Sequence, residues 1–221
     1  ALKFLRKVML KTRKYDRMAE INQLEFVEEL IVMEYMGDES YWNHKFSNRI
    51  EKLLPPEKLL LDDLETFQFG DSGLELACGD GRNIISLAKK GYAMTGVDFS
   101  EIAIERLKHF SKEQSVTVDV FQMDLSKRTF MENLPKFDFI IINHYRLCPD
   151  FYFELIKYLN KGGYLWVNGF SSLPTNNSDV TQKDLIIQKD FEYIQNILLD
   201  KKEYEDGDRK FVRYCFRKQL S

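Results

Sequence analysis

From residue 73 onward, short apolar segments alternate with longer segments whose apolar residues recur at helical spacing. This alternation predicts strands that are joined by crossover helices. Right-handed crossovers place such strands side by side in one parallel sheet that helices cover on both faces. The five strands predicted in this part of the chain are Leu74–Ala77, Ala93–Val97, Val116–Gln122, Phe137–Asn143 and Tyr164–Phe170.

Helices are predicted in the intervals between the strands. Gly91 is suited to end the first of them, and Ser100 is a good N-cap for the second. The segment Lys161-Gly162-Gly163 is a predicted turn, and residues 171–179 are a predicted loop. The predicted helices are Asn83–Lys90, Glu101–Ser111, 150–160 and Lys183–Asn196.

The C-terminal part of the chain departs from this alternation. Leu198–Glu205 and Lys210–Arg217 flank Asp206-Gly207, a dipeptide that is typical of a tight hairpin turn. The hairpin adds two antiparallel strands to one edge of the sheet. The sequence therefore predicts an α/β fold: a doubly wound, Rossmann-like, mostly parallel seven-stranded sheet with a C-terminal antiparallel hairpin.

The first forty residues differ in charge from the rest. Residues 1–17 carry seven lysines and arginines and one acid, whereas residues 20–39 carry seven acids and no base. Apolar residues recur at helical spacing through both parts, which predicts one or two amphipathic helices that end near Gly37. We therefore expect an N-terminal helical extension over 1–39 and a second domain over 40–221. The basic part is either a solvated helix face or a contact for RNA or an anionic surface.

Composition limits the classes of protein that this chain can belong to. Its 221 residues are 44% apolar, which excludes a disordered chain. The longest apolar stretches, such as Phe139–Ile142, are too short to cross a bilayer, so no membrane partner is expected. Three widely spaced cysteines indicate reduced thiols in a cytoplasmic protein without a metal cluster. A net charge of −3 disfavours a globally basic nucleic-acid binder.

The segment Leu74–Asn83 places two glycines between a predicted strand and a predicted helix. Glycine lets the backbone turn sharply, and the helix N-terminus offers N–H groups to an anionic ligand. In folds of this type the ligand lies at the carboxyl ends of the strands. Position 84 is isoleucine, where a dinucleotide-binding motif has its third glycine, and this substitution counts against NAD.

Acidic residues follow the next two predicted strands. Asp98 closes the second strand, and its carboxylate can accept both ribose hydroxyl hydrogens of an adenosine. Asp124 closes the third strand and can accept a hydrogen from an adenine amino group. Asp98 can alternatively be a helix cap, and Asp124 can be a turn residue. Three neighbouring strand ends thus carry a glycine-rich turn, an acid and an acid.

These residues resemble those of a known family. Leu-Glu-Leu-Ala-Cys-Gly-Asp-Gly-Arg-Asn at 74–83, Gly-Val-Asp-Phe-Ser at 96–100 and Gln-Met-Asp-Leu at 122–125 are similar to motifs of class I S-adenosylmethionine-dependent methyltransferases. Lys-Gly-Gly-Tyr-Leu at 161–165 resembles their Pro-Gly-Gly turn, with lysine in place of proline. The tellurite-resistance and thiopurine methyltransferase-like group is the most similar, and the resemblance covers roughly residues 40–217.

The resemblance implies S-adenosylmethionine as the cofactor and assigns residues to it. The glycine loop would hold its methionine portion, Glu75 its amino group, Asp98 the ribose, and Asp124 with Leu125 the adenine. Phe99 would pack on the adenosine, and Trp42 would either cover the cofactor or be plain core. The implied cofactor residues are Trp42, Glu75, Ala77, Cys78, Gly79, Gly81, Asn83, Asp98, Phe99, Ser100, Asp124, Leu125 and Asn143.

The acceptor side of the reaction lies at the end of the fourth strand, Asn143-His144-Tyr145-Arg146. His144 is the candidate base and Tyr145 a candidate acceptor contact, although His144 can equally be a structural histidine. Relatives that methylate nucleobase amino groups usually have two prolines at these positions. The resemblance therefore implies a small-molecule acceptor, in a monomer or homodimer. The alternatives are an RNA methyltransferase that docks through the basic N-terminal helix, and a catalytically silent cofactor-binding adaptor.

Overall fold

The computed structural model describes residues 38–132, 134–175 and 179–220. A single sheet of seven strands forms its centre, in the order β3-β2-β1-β4-β5-β7-β6. The first five strands pair in parallel, and β7 is antiparallel to both β5 and β6. The strands are Ser72–Leu76 (β1), Ala93–Asp98 (β2), Asp119–Gln122 (β3), Phe137–Asn143 (β4), Leu159–Phe170 (β5), Leu198–Asp206 (β6) and Arg209–Arg217 (β7).

Helices cover both faces of the sheet and connect its parallel strands. Together with the terminal hairpin they confirm the predicted doubly wound α/β fold. The predicted helices that end near Gly37 lie outside the described residues, and the boundary between 1–39 and 40–221 stays a prediction. The helices are Glu39–Ser47 (α1), Lys58–Phe67 (α2), Arg82–Lys89 (α3), Glu101–Glu113 (α4) and Pro149–Leu155 (α5). None of them is long and apolar enough to cross a bilayer.

The predicted helix Lys183–Asn196 is wrong. The chain forms three short 3-10 turns there, Gln182–Asp184, Gln188–Phe191 and Gln195–Ile197. The carboxylate of Asp184 accepts the Thr181 N–H at 2.5 Å, and that of Asp190 accepts the Ile187 N–H at 3.1 Å. These bonds cap the starts of two separate turns, and the backbone between the turns is extended at Leu185 and Ile187, which prevents one continuous helix.

Three other predicted boundaries also differ from the structure. The Lys161-Gly162-Gly163 segment is part of β5 and not a turn, and the pairing of β4 with β5 has a bulge between Phe137 and Phe139. The strand predicted over Val116–Gln122 is only Asp119–Gln122, because its first residues are not paired with β2. The helix predicted over 150–160 ends at Leu155, and a 3-10 turn then leads directly into β5.

The central strand β4 explains how the two core layers are separated. Ile140 and Ile142 pack into a layer with α5 and the 3-10 turns, whereas Phe139 and Ile141 pack into a layer with α2, α3 and α4. All four side chains are fully buried. A parallel strand with helices on both faces is apolar on both faces, which is why this segment carries no polar alternation.

A buried ion pair joins α2 to the antiparallel part of the sheet. The Arg213 guanidinium donates to Asp63 at 3.2 Å and to Asp200 at 2.7 Å, and the Trp166 indole N–H donates to Asp63 at 2.8 Å. Asp63 is 5% exposed and Arg213 is 2% exposed. This cluster fixes α2 against β5 and β7, so it sets the position of the segment that precedes α2.

Candidate active site

A cleft of about 330 Å³ opens at the carboxyl ends of β1, β2 and β4. Its location matches the ligand position that the strand order predicts, because β1 and β4 are where the direction of winding reverses. The predicted site residues that line it are Trp42, Glu75, Ala77, Cys78, Gly79, Asn83, Asp98, Phe99, Leu125, Asn143, His144 and Tyr145.

The loop after β1 turns through three residues in the left-handed region. Ala77, Gly79 and Gly81 have φ values of 54°, 55° and 93°. A Cβ on Gly79 would lie 3.1 Å from the Phe46 ring, and one on Gly81 would lie 2.7 Å from Leu107. Gly79 therefore keeps the floor of the cleft open, whereas Gly81 lets the helix approach its neighbour.

Glu75 is a buried carboxylate near the end of β1. Its Oε1 accepts the Asn83 side-chain N–H at 2.8 Å, while its Oε2 has no hydrogen-bond partner among the described residues. Burial raises the pKa of Glu75 to about 7. A buried carboxylate oxygen without a donor is costly, and a cationic donor in the cleft would remove that cost.

Asp98 connects β2 to the glycine loop. Its two carboxylate oxygens accept the Gly79 N–H at 2.8 Å and the Ser100 N–H at 2.9 Å. Burial raises the pKa of Asp98, and these two N–H groups oppose that rise by stabilising the anion. Each oxygen keeps a further lone pair, so the carboxylate can accept two ligand hydroxyl groups without losing its own contacts.

Three predicted cofactor residues lie outside the lining of the cleft and have other contacts. Gly81 precedes α3, and the Ser100 hydroxyl caps α4 by accepting the Ala103 N–H at 3.1 Å. Asp124 accepts the Ser126 N–H at 2.9 Å and lies 3.4 Å from the Lys127 ammonium. Gly81 thus begins a helix, Ser100 caps a helix and Asp124 stabilises a turn. Their assignment to the cofactor stays a prediction.

Residues of α1 and the loop after it cover the cleft, and the sequence motifs did not reveal them. Phe46 packs over Gly79, and Arg49 donates to the buried Asp80 of the glycine loop at 3.1 Å. Arg106 of α4 donates to the other oxygen of Asp80 at 3.4 Å. In the sequence, only the Tyr41-Trp42 pair indicated that this region covers the cofactor, and of these two residues only Trp42 lines the cleft.

His144 directly follows β4, the strand that pairs with β1, and it lines the cleft. Its φ of 55° is in the left-handed region, and its backbone N–H donates to Asn168 at 2.7 Å. Its ring packs between Phe170 and Phe211, with centroid distances of 5.8 and 5.2 Å. Nε2 lies 3.2 Å from Glu57. A non-glycine residue in this conformation is held there by its surroundings and is often found at a functional site.

The titratable side chains in the cleft differ in the chemistry that they can perform. Burial lowers the pKa of His144, so the imidazole is neutral near pH 7 and can accept a proton. Burial raises the pKa of Tyr145 beyond its usual range, so the phenol stays a hydrogen-bond donor. Burial and the nearby Asp98 raise the pKa of the Cys78 thiol, which is therefore a poor nucleophile. No cluster suited to a metal ion occurs among the described residues.

The packing of α3 on the sheet explains the isoleucine at position 84. A Cβ on Gly96 would lie 2.8 Å from the Ile84 side chain and 2.9 Å from the Cys78 sulfur. The close approach that a dinucleotide-binding motif obtains from its third glycine is obtained here from a glycine on β2. Ile84 is fully buried against the sheet and does not line the cleft.

Comparison with known proteins agrees with this geometry. Residues 74–163 match the family model of a methyltransferase domain. TehB of Haemophilus influenzae, named as an S-adenosyl-L-methionine-dependent methyltransferase, is 29% identical over 98 residues, 41% of this chain and 33% of TehB. The chain is a relative of the class I methyltransferases. The cofactor of that class is S-adenosylmethionine, and the glycine loop of the methyltransferase domain lies at the start of the matched region.

Other relatives support the same class. A protein of Geobacillus sp. (strain WCH70) that is named as a methyltransferase is 33% identical over 79 residues, 34% of this chain. The matches span about a third of these curated relatives, 31% and 33% of their lengths. The TehB structure superposes with a TM-score of 0.61 at 18% identity, over 80% of this chain and 67% of TehB. Coclaurine N-methyltransferase, bound to N-methylheliamine and SAH, gives 0.58 at 15% identity over 98% of both chains.

Proposed function

We propose that this chain binds S-adenosylmethionine in the cleft and transfers its methyl group to a small-molecule acceptor. The unpartnered Oε2 of Glu75 is the observation that carries the proposal. The cofactor has an α-ammonium group, and a charge-assisted hydrogen bond to this oxygen would satisfy it. The fit extends to Asp98, whose remaining lone pairs suit two ribose hydroxyl groups.

The side chains around the cleft divide between holding the cofactor and holding the acceptor. S-adenosylmethionine supplies an electrophilic methyl group on a sulfonium, so positioning of the acceptor accounts for much of the rate. Trp42, Phe46 and Phe99 shield the cofactor end from water. At the acceptor end, Tyr145 donates a hydrogen bond and His144 accepts a proton. The Asn143 side chain, which also lines the cleft, is held in place because its Oδ1 accepts the Asn168 side-chain N–H at 3.0 Å.

A small acceptor is favoured by the walls of the acceptor end. Phe170 lines the cleft beside His144. Phe211 packs on Phe170 at a centroid distance of 4.9 Å and Tyr204 packs on Phe211 at 5.3 Å, and these two rings lie outside the lining of this cleft. Aromatic walls with a few polar groups are typical of sites for small molecules. The relatives TehB and coclaurine N-methyltransferase carry names of methyltransferases, and the second is bound to a small molecule. The cytoplasmic location stays a prediction.

The function is tested by following the demethylated product of the cofactor while a panel of small amines, hydroxyl compounds, thiols and oxyanions is supplied. Product formed with a member of the panel supports the proposal. Product formed only with RNA, with an affinity that falls steeply as salt rises, would establish the RNA alternative. Cofactor binding without turnover on any acceptor would favour the silent adaptor.

Cofactor binding is expected to release a proton from Glu75. With a pKa of about 7, this carboxyl is largely protonated in the free protein at pH 6.5. A bound ammonium favours the charged form and lowers the pKa, so the proton leaves. Titration calorimetry at pH 6.5 in two buffers of different ionisation enthalpy measures this release. Glu75→Gln is expected to abolish it, and equal release by both proteins would contradict the assigned contact.

The same pKa predicts how stability depends on pH. The folded carboxyl holds its proton up to about pH 7, while the unfolded one loses it near 4.5. Between these values the folded state binds more protons, so the free energy of unfolding falls as pH rises. Glu75→Gln has no carboxyl group to titrate here. The free energy of unfolding of the variant should therefore rise relative to that of the parent between pH 5 and 7.

A further inference from the structure

Glu57 lies outside the cofactor cleft but contacts the candidate base. It precedes α2, and its Oε2 lies 3.2 Å from His144 Nε2 and 3.3 Å from the Arg82 guanidinium. Its backbone N–H donates to the Asn83 side chain at 2.8 Å, which ties it to the glycine-loop side as well. No sequence motif singled it out, because it is 87 residues from His144.

The two ring nitrogens of His144 are in different surroundings. Nε2 faces Glu57, while Nδ1 is buried and has no hydrogen-bond partner among the described residues. Neutral imidazole has one N–H and one lone pair. An ionised carboxylate can only accept, so it selects the tautomer with the hydrogen on Nε2 and leaves the lone pair on Nδ1.

We propose that Glu57 is the positioning residue of His144 and that the two side chains together accept the proton of the methyl acceptor. The proposal rests on the function proposed above. As the acceptor atom forms its bond to the methyl group, the bond from methyl to sulfur breaks and its electron pair stays on sulfur. The proton of the acceptor atom passes to Nδ1, and the resulting imidazolium is stabilised by the Glu57 carboxylate.

Charges around the pair allow it to hold and then release this proton. Glu57 faces His144 from the start of α2, while Arg82 of α3 and Arg209 of β7 carry the opposite sign. The carboxylate raises the pKa of His144, and burial and the two guanidinium groups lower it. His144 and Arg82 hold the pKa of Glu57 below its usual range, so this carboxyl is ionised near pH 7.

The pair also separates two cavities. His144 lines the cofactor cleft, and both Glu57 and His144 line a second cleft of about 470 Å³ between α2 and the β6–β7 hairpin. A proton taken on the cofactor side therefore has a route to solvent on the other side.

Nitrogen NMR of the histidine rings tests the pair on the full chain, without cofactor or acceptor. The chain has three histidines, so their signals can be assigned by substitution. His144 is expected to show a protonated Nε2 and an unprotonated Nδ1. Glu57→Gln should lower the pKa of His144 by about one pH unit or more, because an opposite charge within hydrogen-bond distance is lost. Glu57→Asp should restore part of that value.

A matched control is available on α4. His109 Nε2 lies 3.4 Å from Glu113 on the exposed face of that helix. Glu113→Gln removes a carboxylate from a histidine in the same way, but it should leave the titration of His144 unchanged. A protonated Nδ1 in the parent protein, or a His144 pKa that Glu57→Gln does not lower, would overturn the proposal.

The experiment also separates this proposal from the proposed function. If the titration is as expected and S-adenosylmethionine does not bind, the pair stands and the function fails. If the cofactor binds and the pKa of His144 does not depend on Glu57, the proposed function stands and the proposed role of Glu57 is wrong. Once an acceptor is known, Glu57→Gln should lower kcat about tenfold or more without changing cofactor affinity. It should also move the acid limb of the pH profile to lower pH.

Discussion

Asp63→Ala is expected to lower the free energy of unfolding by about 3–5 kcal/mol, the usual cost of removing one partner of a buried ion pair. The Arg213 guanidinium is 2% exposed, so its charge would lose its buried counterion and keep only the half-exposed Asp200. The Trp166 N–H, which donates to Asp63 at 2.8 Å, would lose its acceptor too. Urea denaturation measures the change.

The neighbouring residue provides the control for this prediction. Asp62 is on the same helix and pairs with Lys58 at 2.6 Å, but the two side chains are 53% and 85% exposed. Asp62→Ala should change stability by less than about 1 kcal/mol, because water screens an exposed pair. Equal losses in the two variants would show that burial of the Asp63 cluster is not what stabilises α2 against the sheet.

Asp98→Ala is expected to weaken S-adenosylmethionine binding by about 10- to 150-fold, the effect of losing 1.5–3 kcal/mol of hydrogen bonding to a charged group. The substitution removes the ribose acceptor that we propose, and it also frees the Gly79 N–H in the floor of the cleft. Titration calorimetry measures the affinity. Asp98→Asn keeps one acceptor oxygen and should fall between the parent and the alanine variant.

An aspartate at the far end of the neighbouring strand controls for nonspecific effects. Asp119 is exposed and begins β3, away from the carboxyl ends that form the cleft. Asp119→Ala should leave cofactor affinity unchanged. If Asp98→Ala binds the cofactor as the parent does while remaining folded, the ribose assignment is wrong.

The fold and much of the lining of the cleft were predictable because they depend on local features. The glycine loop, the N-cap Ser100 and the Asp206-Gly207 turn each act within a few residues, and all three are where the sequence placed them. Asp98 was predictable because a residue that closes a parallel strand must lie at the carboxyl edge of the sheet. Twelve of the fifteen predicted residues line the cleft.

The remaining parts of the site depend on tertiary contacts between distant segments. Arg49 meets Asp80 across 31 residues, and Glu57 meets His144 across 87. No periodicity or motif connects such pairs in a single sequence. The error over Lys183–Asn196 has a local cause: the carboxylates of Asp184 and Asp190 cap the starts of two separate turns with extended backbone between them, which an apolar spacing pattern does not reveal.

The identity of the cofactor is the central claim, and calorimetric titration of the full chain with S-adenosylmethionine, its demethylated product and NAD tests it most directly. We expect the first two to bind in the micromolar range, about −8 kcal/mol, and NAD not to bind. The loop lacks the third glycine of a dinucleotide-binding motif, and Glu75 offers an oxygen that only a donor such as an ammonium would satisfy. Binding of NAD alone, or binding of neither S-adenosylmethionine nor its product, would contradict the account.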